Sequence, residues 1–187
     1  WFGGHQPQEA LGDFGALRCD AATIPPILLQ ATLLDVAGHR GVDQLPGGAG
    51  IDADELAAVE AAQDTPIPPR SAVLIRTGLM RHWHDRDGFD AHAGAGPDLG
   101  AARWLREQRD AILVGSDTPT FEQVPATTPE NPHPVHDYLL RREGVHLLEN
   151  ADLEQLAADR VHRFLLICLP LKIQGATASF VRPVAVI

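Results

Sequence analysis

An α/β domain is the fold class this sequence predicts, and three observations predict it. Short apolar runs alternate with amphipathic stretches, acidic residues stand where helices would begin, and proline or glycine clusters separate the segments. The runs Thr32 to Val36, Ala72 to Arg76, Ala111 to Val114, Val145 to Leu148, Phe164 to Leu169 and Val181 to Ile187 read as strands. Pro183 has no N–H for a ladder, so the last of them is expected at a sheet edge or with a bulge. Asp52, with Glu55 three residues on, predicts a helix through Leu56 and Val59 to about Gln63. Asp98 is expected to cap a second helix through Arg103, Trp104 and Leu105, and Asn150 a third in which Leu153, Leu156 and Ala157 recur at helical spacing. Turns are expected at Ile24 to Ile27, Pro46 to Gly50, Pro66 to Pro69 and Gly94 to Pro97. None of these is long enough to link domains, so residues 1–187 read as a single domain.

Composition narrows the partners. Fifteen Lys and Arg stand against 25 Asp and Glu, a formal net charge of -10, whereas binding to phosphates needs a basic face. A nucleic-acid partner is therefore excluded. A 44% apolar content can fill one core, yet no run approaches the roughly 20 apolar residues of a membrane span, and no signal peptide is recognisable. A cytoplasmic protein without a membrane partner is expected. Cys19 and Cys168 lie in no C-x-x-C pattern and are expected to be buried as small apolar residues. The chain opens on Trp1 and its one methionine is Met80, so an N-terminal part is expected to be missing.

Several motifs dissolve on inspection. In Gly94-Ala-Gly96-Pro-Asp-Leu-Gly100 the third glycine falls one place late for a dinucleotide loop, and Pro97 removes a phosphate-facing N–H. Asp85-Arg-Asp87-Gly88 brings its glycine too early for a calcium loop and reads as a polar surface turn. His82-Trp83-His84 could chelate from a strand but reads as a solvated strand end. Asp117, just past a strand end, reads as a turn cap. Neither a G-x-S-x-G elbow nor an activated cysteine is present, which leaves metal chemistry.

The informative stretch runs from Asn131 to Asn150, NPHPVHDYLLRREGVHLLEN. A helix is expected to begin near Val135, Gly144 to stop it, and Val145 to Leu148 to run back as a strand. Eight helical residues travel roughly 12 Å and five extended ones return roughly 16 Å, so Glu149 is expected near His136. An imidazole and a carboxylate converging at one end of such a unit suit a borderline or hard divalent ion. An ordinary structural arrangement, with Glu149 paired to some arginine, fits the same residues.

From Ile24 onward the chain resembles the cyclase family of metal-dependent hydrolases, the group with bacterial kynurenine formamidase and isatin hydrolase. The matching stretches are IPPILLQATLLDVAGHRGVDQLP (Ile24 to Pro46), the acidic helix after it, PPRSAVLIRTG (Pro68 to Gly78), ILVGSDTPTFE (Ile112 to Glu122), PVHDYLLRREGVHLLEN (Pro134 to Asn150) and LPLKIQGATASFVRPVAVI (Leu169 to Ile187), in the family's order. The resemblance implies a swivelling β/β/α fold, a divalent metal, Zn or Mn, and hydrolysis of an amide or lactam C–N bond in a small, often aromatic substrate. It implies that His136 and Glu149 are metal ligands, that Trp1 and Phe2 are pocket walls, and that the protein is a homodimer or higher homo-oligomer. The family's H-x-G-T-H-x-D-x-P-x-H signature, which carries the other ligands and the general-base histidine, does not occur in this sequence. Trp1-Phe2-Gly3-Gly4 resembles the W-G-G segment that follows it, so the signature and the base are expected upstream of Trp1. A metal-dependent amidohydrolase acting on a small molecule is the reading. Its alternatives are a non-catalytic binding relative, and a lyase or cyclase acting on a natural product.

Overall fold

The computed structural model describes residues 1–128 and 130–187. All six expected strands form, and all join one mixed sheet. They are β1 (Ile27–Asp35), β2 (Ala72–Arg76), β3 (Leu113–Ser116), β4 (His146–Leu148), β5 (Arg163–Cys168) and β6 (Val184–Val186), in spatial order β6-β5-β1-β2-β3-β4. The run β1, β2, β3, β4 is parallel, with Ala31 opposite Ala72, Ala72 opposite Leu113 and Leu113 opposite His146; β5 and β6 add antiparallel. β6 begins directly after Pro183 and takes the edge, where a missing N–H costs nothing. β1 starts just after the two prolines at 25 and 26. It stops where the Asp35 carboxylate accepts the Gly38 N–H at 2.9 Å and turns the chain into a short helix, Val36–His39. β3 starts two residues later than the apolar run because the Ala111 N–H closes the preceding helix on the Leu105 carbonyl.

Helices α1 (Ala53–Ala62), α2 (Arg86–His92) and α3 (Leu99–Arg103) each open on an aspartate, Asp52, Asp85 and Asp98, whose carboxylate accepts an N–H three residues on. α3 continues as a π-helical stretch through Trp104–Gln108, and α4 (Pro134–His136) continues likewise through Asp137–Arg142. Asn150 caps nothing. Its backbone is left-handed, φ 55°, and its N–H is taken by the Thr118 carbonyl, so α5 starts only at Glu154 (Glu154–Ala158). The expected strand end at His82 to His84 is instead helical: a 3-10 turn, Leu79–His82, stacks His82 on His92 of α2, rings 4.8 Å apart. Asp85 is the cap of α2 and not the centre of a free turn. Of the two cysteines Cys168 is buried and Cys19 is exposed.

Two apolar layers sit on the sheet. Leu56, Val59, Leu105 and Leu139 from the helices pack on Leu34, Val73, Ile75 and Val114. Leu33, Leu74, Leu113, Leu148, Phe164 and Leu166 line the opposite face, where α5 and Val181 give partial cover. The helix layer and principal sheet of the expected arrangement are thus present, and the class is α/β. Among the described residues no helix is long and apolar enough to cross a membrane.

The carboxyl ends of the parallel strands are pinned by buried charge. Arg76, at the end of β2, gives Nη1 to Asp35 of β1 at 2.8 Å and a two-pronged contact to Glu154 of α5 at 2.7 and 2.9 Å. Asp117, fully buried after β3, accepts from the Thr77 N–H and hydroxyl and from the Gly78 and Leu79 N–H groups, at 2.7 to 3.1 Å. Burial pushes its carboxyl up to about 6 against those donors. Gly78 sits at φ 88°, and a Cβ there would strike the Asp43 carbonyl at 2.2 Å, so only glycine lets this turn close over the carboxylate.

Two stability outcomes follow from these contacts. Asp52→Ala is expected to cost about 1 kcal/mol, the usual loss of an N-cap. Asp117→Ala strands buried donors and is expected to cost about 3 kcal/mol or more. Urea unfolding of the two variants should show that order, and equal losses would contradict it.

Candidate metal centre

The site grows from the α4–β4 unit at the carboxyl end of β3. Pro134 starts α4 with a fixed φ, placing His136 in its first turn. Gly144, at φ 66°, ends the π-helical extension, and the Val145 N–H closes back on the Leu139 carbonyl at 2.8 Å. β4 then returns, and the turn after it is stitched to β3: the Asn150 N–H meets the Thr118 carbonyl and the Ala151 N–H the Ser116 carbonyl, each at 3.0 Å. Glu149 is delivered to His136, with Nε2 to Oε1 at 3.3 Å. Both side chains remain about one-third exposed, 30% and 33%, so the pair faces outward from the fold.

Behind the imidazole stands a residue whose role the sequence does not disclose. Glu122 is fully buried; Oε2 accepts the Val135 N–H at 2.9 Å, while Oε1 accepts the His136 N–H at 3.3 Å and contacts His136 Nδ1. The first N–H groups of α4 have no partner within the helix, and a carboxylate there satisfies them while meeting the positive end of the helix dipole. Burial opposes the Glu122 charge, but the imidazole and these N–H groups win and hold its carboxyl below the ordinary value. Burial likewise opposes a charged His136, and the carboxylates of Glu122 and Glu149 overcome it, raising the imidazole to about 9. The partnership of Glu122 with His136, 14 positions further on, follows from no spacing rule in the sequence.

Glu122, His133 and His136 form a group whose possible ligand atoms lie within 4.8 Å of one another. Glu122 is poorly placed to be a ligand itself, because its oxygens are occupied by two backbone N–H groups and a ring nitrogen. His133 is half exposed and stands 3.5 Å from the same oxygen. The donors with free access are therefore His136 Nε2, Glu149 and the half-exposed His133 ring, two nitrogens and one oxygen. That set fits a divalent ion, with Glu122 in the place of the carboxylate that commonly orients a ligating imidazole.

The pair opens onto a cleft of about 530 Å³ lined also by His146, Leu113, Trp83 and Phe180. Trp1 and Phe2 do not line it. The Phe2 ring lies instead against Gly144, where an added Cβ would come within 2.5 Å of it. The aromatic walls come from Trp83, just after the 3-10 turn that closes over Asp117, and from Phe180 in the C-terminal segment. Asp117 is not among the lining residues and is fully committed to the 77–79 backbone.

Comparison with known proteins agrees with this architecture. Residues 7–123 match the sequence profile of the cyclase family, described as "Putative cyclase". The kynurenine formamidase of Bordetella petrii is 34% identical over 121 residues, 63% of this chain and 49% of that protein. The crystal structure of a protein described as a novel cyclase superposes with a TM-score of 0.83 at 30% identity, covering 96% of this chain and 62% of the other. Isatin hydrolase A from Ralstonia solanacearum shares the fold, with a TM-score of 0.73 at 24% identity, over 89% of this chain and 63% of that one. The chain thus spans about half the length of the formamidase it matches. With more than half of its residues inside the family profile, the chain belongs to the cyclase family.

Proposed function

We propose that this protein is a metal-dependent hydrolase that opens an amide or lactam C–N bond in a small aromatic or cyclic substrate. The observation that carries the reading is the His136–Glu149 pair on the wall of the cleft, with Glu122 behind the imidazole. Two relatives named as a formamidase and an isatin hydrolase support the choice of bond. The chemistry such an ion, Zn or Mn, supplies when bound is polarisation of the scissile carbonyl and activation of water. The chain's own residues prepare for it. Glu122 accepts a hydrogen bond from His136 Nδ1–H, which fixes the ring with Nε2 toward Glu149 and the cleft, where an ion would take the place of the Nε2 proton. The stitched turn at Asn150 and Ala151 holds Glu149 opposite it, and Trp83 and Phe180 offer flat faces to a planar substrate. A single domain over residues 1–187, a cytoplasmic setting and pairing with a second copy belong to the same proposal. The outer edge of β6 supports the last, because exposed sheet edges invite a partner strand.

Metal content measured on the purified full-length protein tests the reading. Stoichiometric Zn or Mn is expected, abolished in His136→Ala and weakened about 10- to 100-fold in Glu122→Gln, the usual cost of losing a supporting carboxylate. Formanilide and isatin hydrolysis should fall with metal content. No metal in the wild type, or metal unaffected by His136→Ala, overturns the proposal in favour of a binding relative.

The metal-free protein carries its own signature. His136 has a raised value, about 9, against 6.5 for the ordinary group. Its contribution to stability is therefore complete below pH 6.5 and is lost as pH rises through 9. The chelator-treated protein should lose melting temperature across that window, and His136→Gln should flatten the decline. An unchanged slope in the variant would assign the decline elsewhere.

A further inference from the structure

His146 opens β4, and in a strand it shares a face with Leu148, which packs into the layer opposite the helices. It therefore points to the cleft side of the sheet and lines the same cleft as His136 and Glu149. It stands opposite Leu113 of the neighbouring strand, and Leu148 follows it on the same face. Its backbone N–H is used by the Ile112 carbonyl at 3.3 Å, but among the described residues its ring makes no hydrogen bond. Burial alone acts on the imidazole, lowering its affinity for a proton. A neutral ring with one donor and one acceptor, half-buried among apolar side chains, is an unused recognition element.

The rest of the lining limits what it can recognise. Among the described residues no Lys or Arg lines the cleft, while Glu149 does. A neutral imidazole has no charge to pair with an anionic substituent, whereas an uncharged carbonyl or N–H meets a matching hydrogen-bond partner on it. We propose that His146 is a specificity-determining residue that hydrogen-bonds an uncharged polar group of the substrate, remote from the scissile bond. The cleft accordingly selects neutral aryl amides over those bearing a free carboxylate. The inference rests on the hydrolase reading above for the scissile bond, though not for the contact itself.

Formanilides substituted at ring position 3 or 4 with acetyl, isopropenyl or carboxylate test it, since acetyl and isopropenyl share a shape and only the former accepts a hydrogen bond. At one of the two positions the wild type should favour acetyl over isopropenyl by about five- to tenfold in kcat/KM, the worth of one hydrogen bond. The difference should lie in KM, as expected for a contact present before and during the reaction, and the carboxylate should be the poorest of the three. His146→Phe should abolish the preference while the metal content stays unchanged, and His146→Gln should restore part of it. Calorimetric binding of 3- and 4-aminoacetophenone, compared between wild type and His146→Phe, separates the two readings. A binding loss in the variant without hydrolysis in the wild type keeps the His146 assignment and removes the hydrolase. Equal losses on acetyl and isopropenyl substrates, a preference that survives in His146→Phe, or preferred turnover of the carboxylate overturns the assignment.

Discussion

Glu122 is a charged side chain with no access to water, and the geometry of the candidate centre hangs on how that charge is settled. A buried carboxylate is tolerated only where several donors converge on it. Here they are the first N–H groups of α4 and the His136 ring, all within one turn. Because the same oxygens serve helix and imidazole, the start of α4 and the orientation of the ring are one event. Shifting the helix by a residue would leave the carboxylate unpaired, so the register of α4 is as firmly set as the ring.

A second buried carboxylate does comparable work a short way along the chain. Asp117 gathers the 77–79 backbone, Arg76 ties β1 and β2 to α5, and Ser116 and Thr118 hold the turn that carries Glu149. These fasteners all lie at the carboxyl ends of the parallel strands, the end at which open α/β sheets bind ligands. Among the described residues, the opposite ends, where β1 emerges from two prolines and β3 from the α3 closure, carry no comparable concentration of buried charge.

What could be read from the sequence follows the range of the forces involved. Strand identity, the caps at Asp52 and Asp98 and the meeting of His136 with Glu149 are local, set by periodicity, capping and the length of one α–β unit. Asn150 misled because its side chain suits a cap while its N–H is claimed by Thr118 of another strand. The His82 to His84 segment misled because its stacking partner, His92, belongs to the next helix. Glu122, Trp83 and Phe180 reach the site through tertiary folding alone, and no spacing rule links them. The resemblance to the cyclase family supplied the likeness of His136 and Glu149 to ligands, but it suggested Trp1 and Phe2 where the cleft presents other aromatic rings.

The α4–β4 unit contributes the facing pair within residues 136–149, while Trp83 and Phe180 arrive from a 3-10 turn and from the C-terminal segment. No hydrogen bond joins either aromatic side chain to the pair among the described residues. Replacement of a wall therefore leaves the pair undisturbed, and drift in the walls is uncoupled from drift in the chemistry. A lineage built on this scaffold can change diet by exchanging two loosely tethered rings, with the inherited core of the site carried along intact.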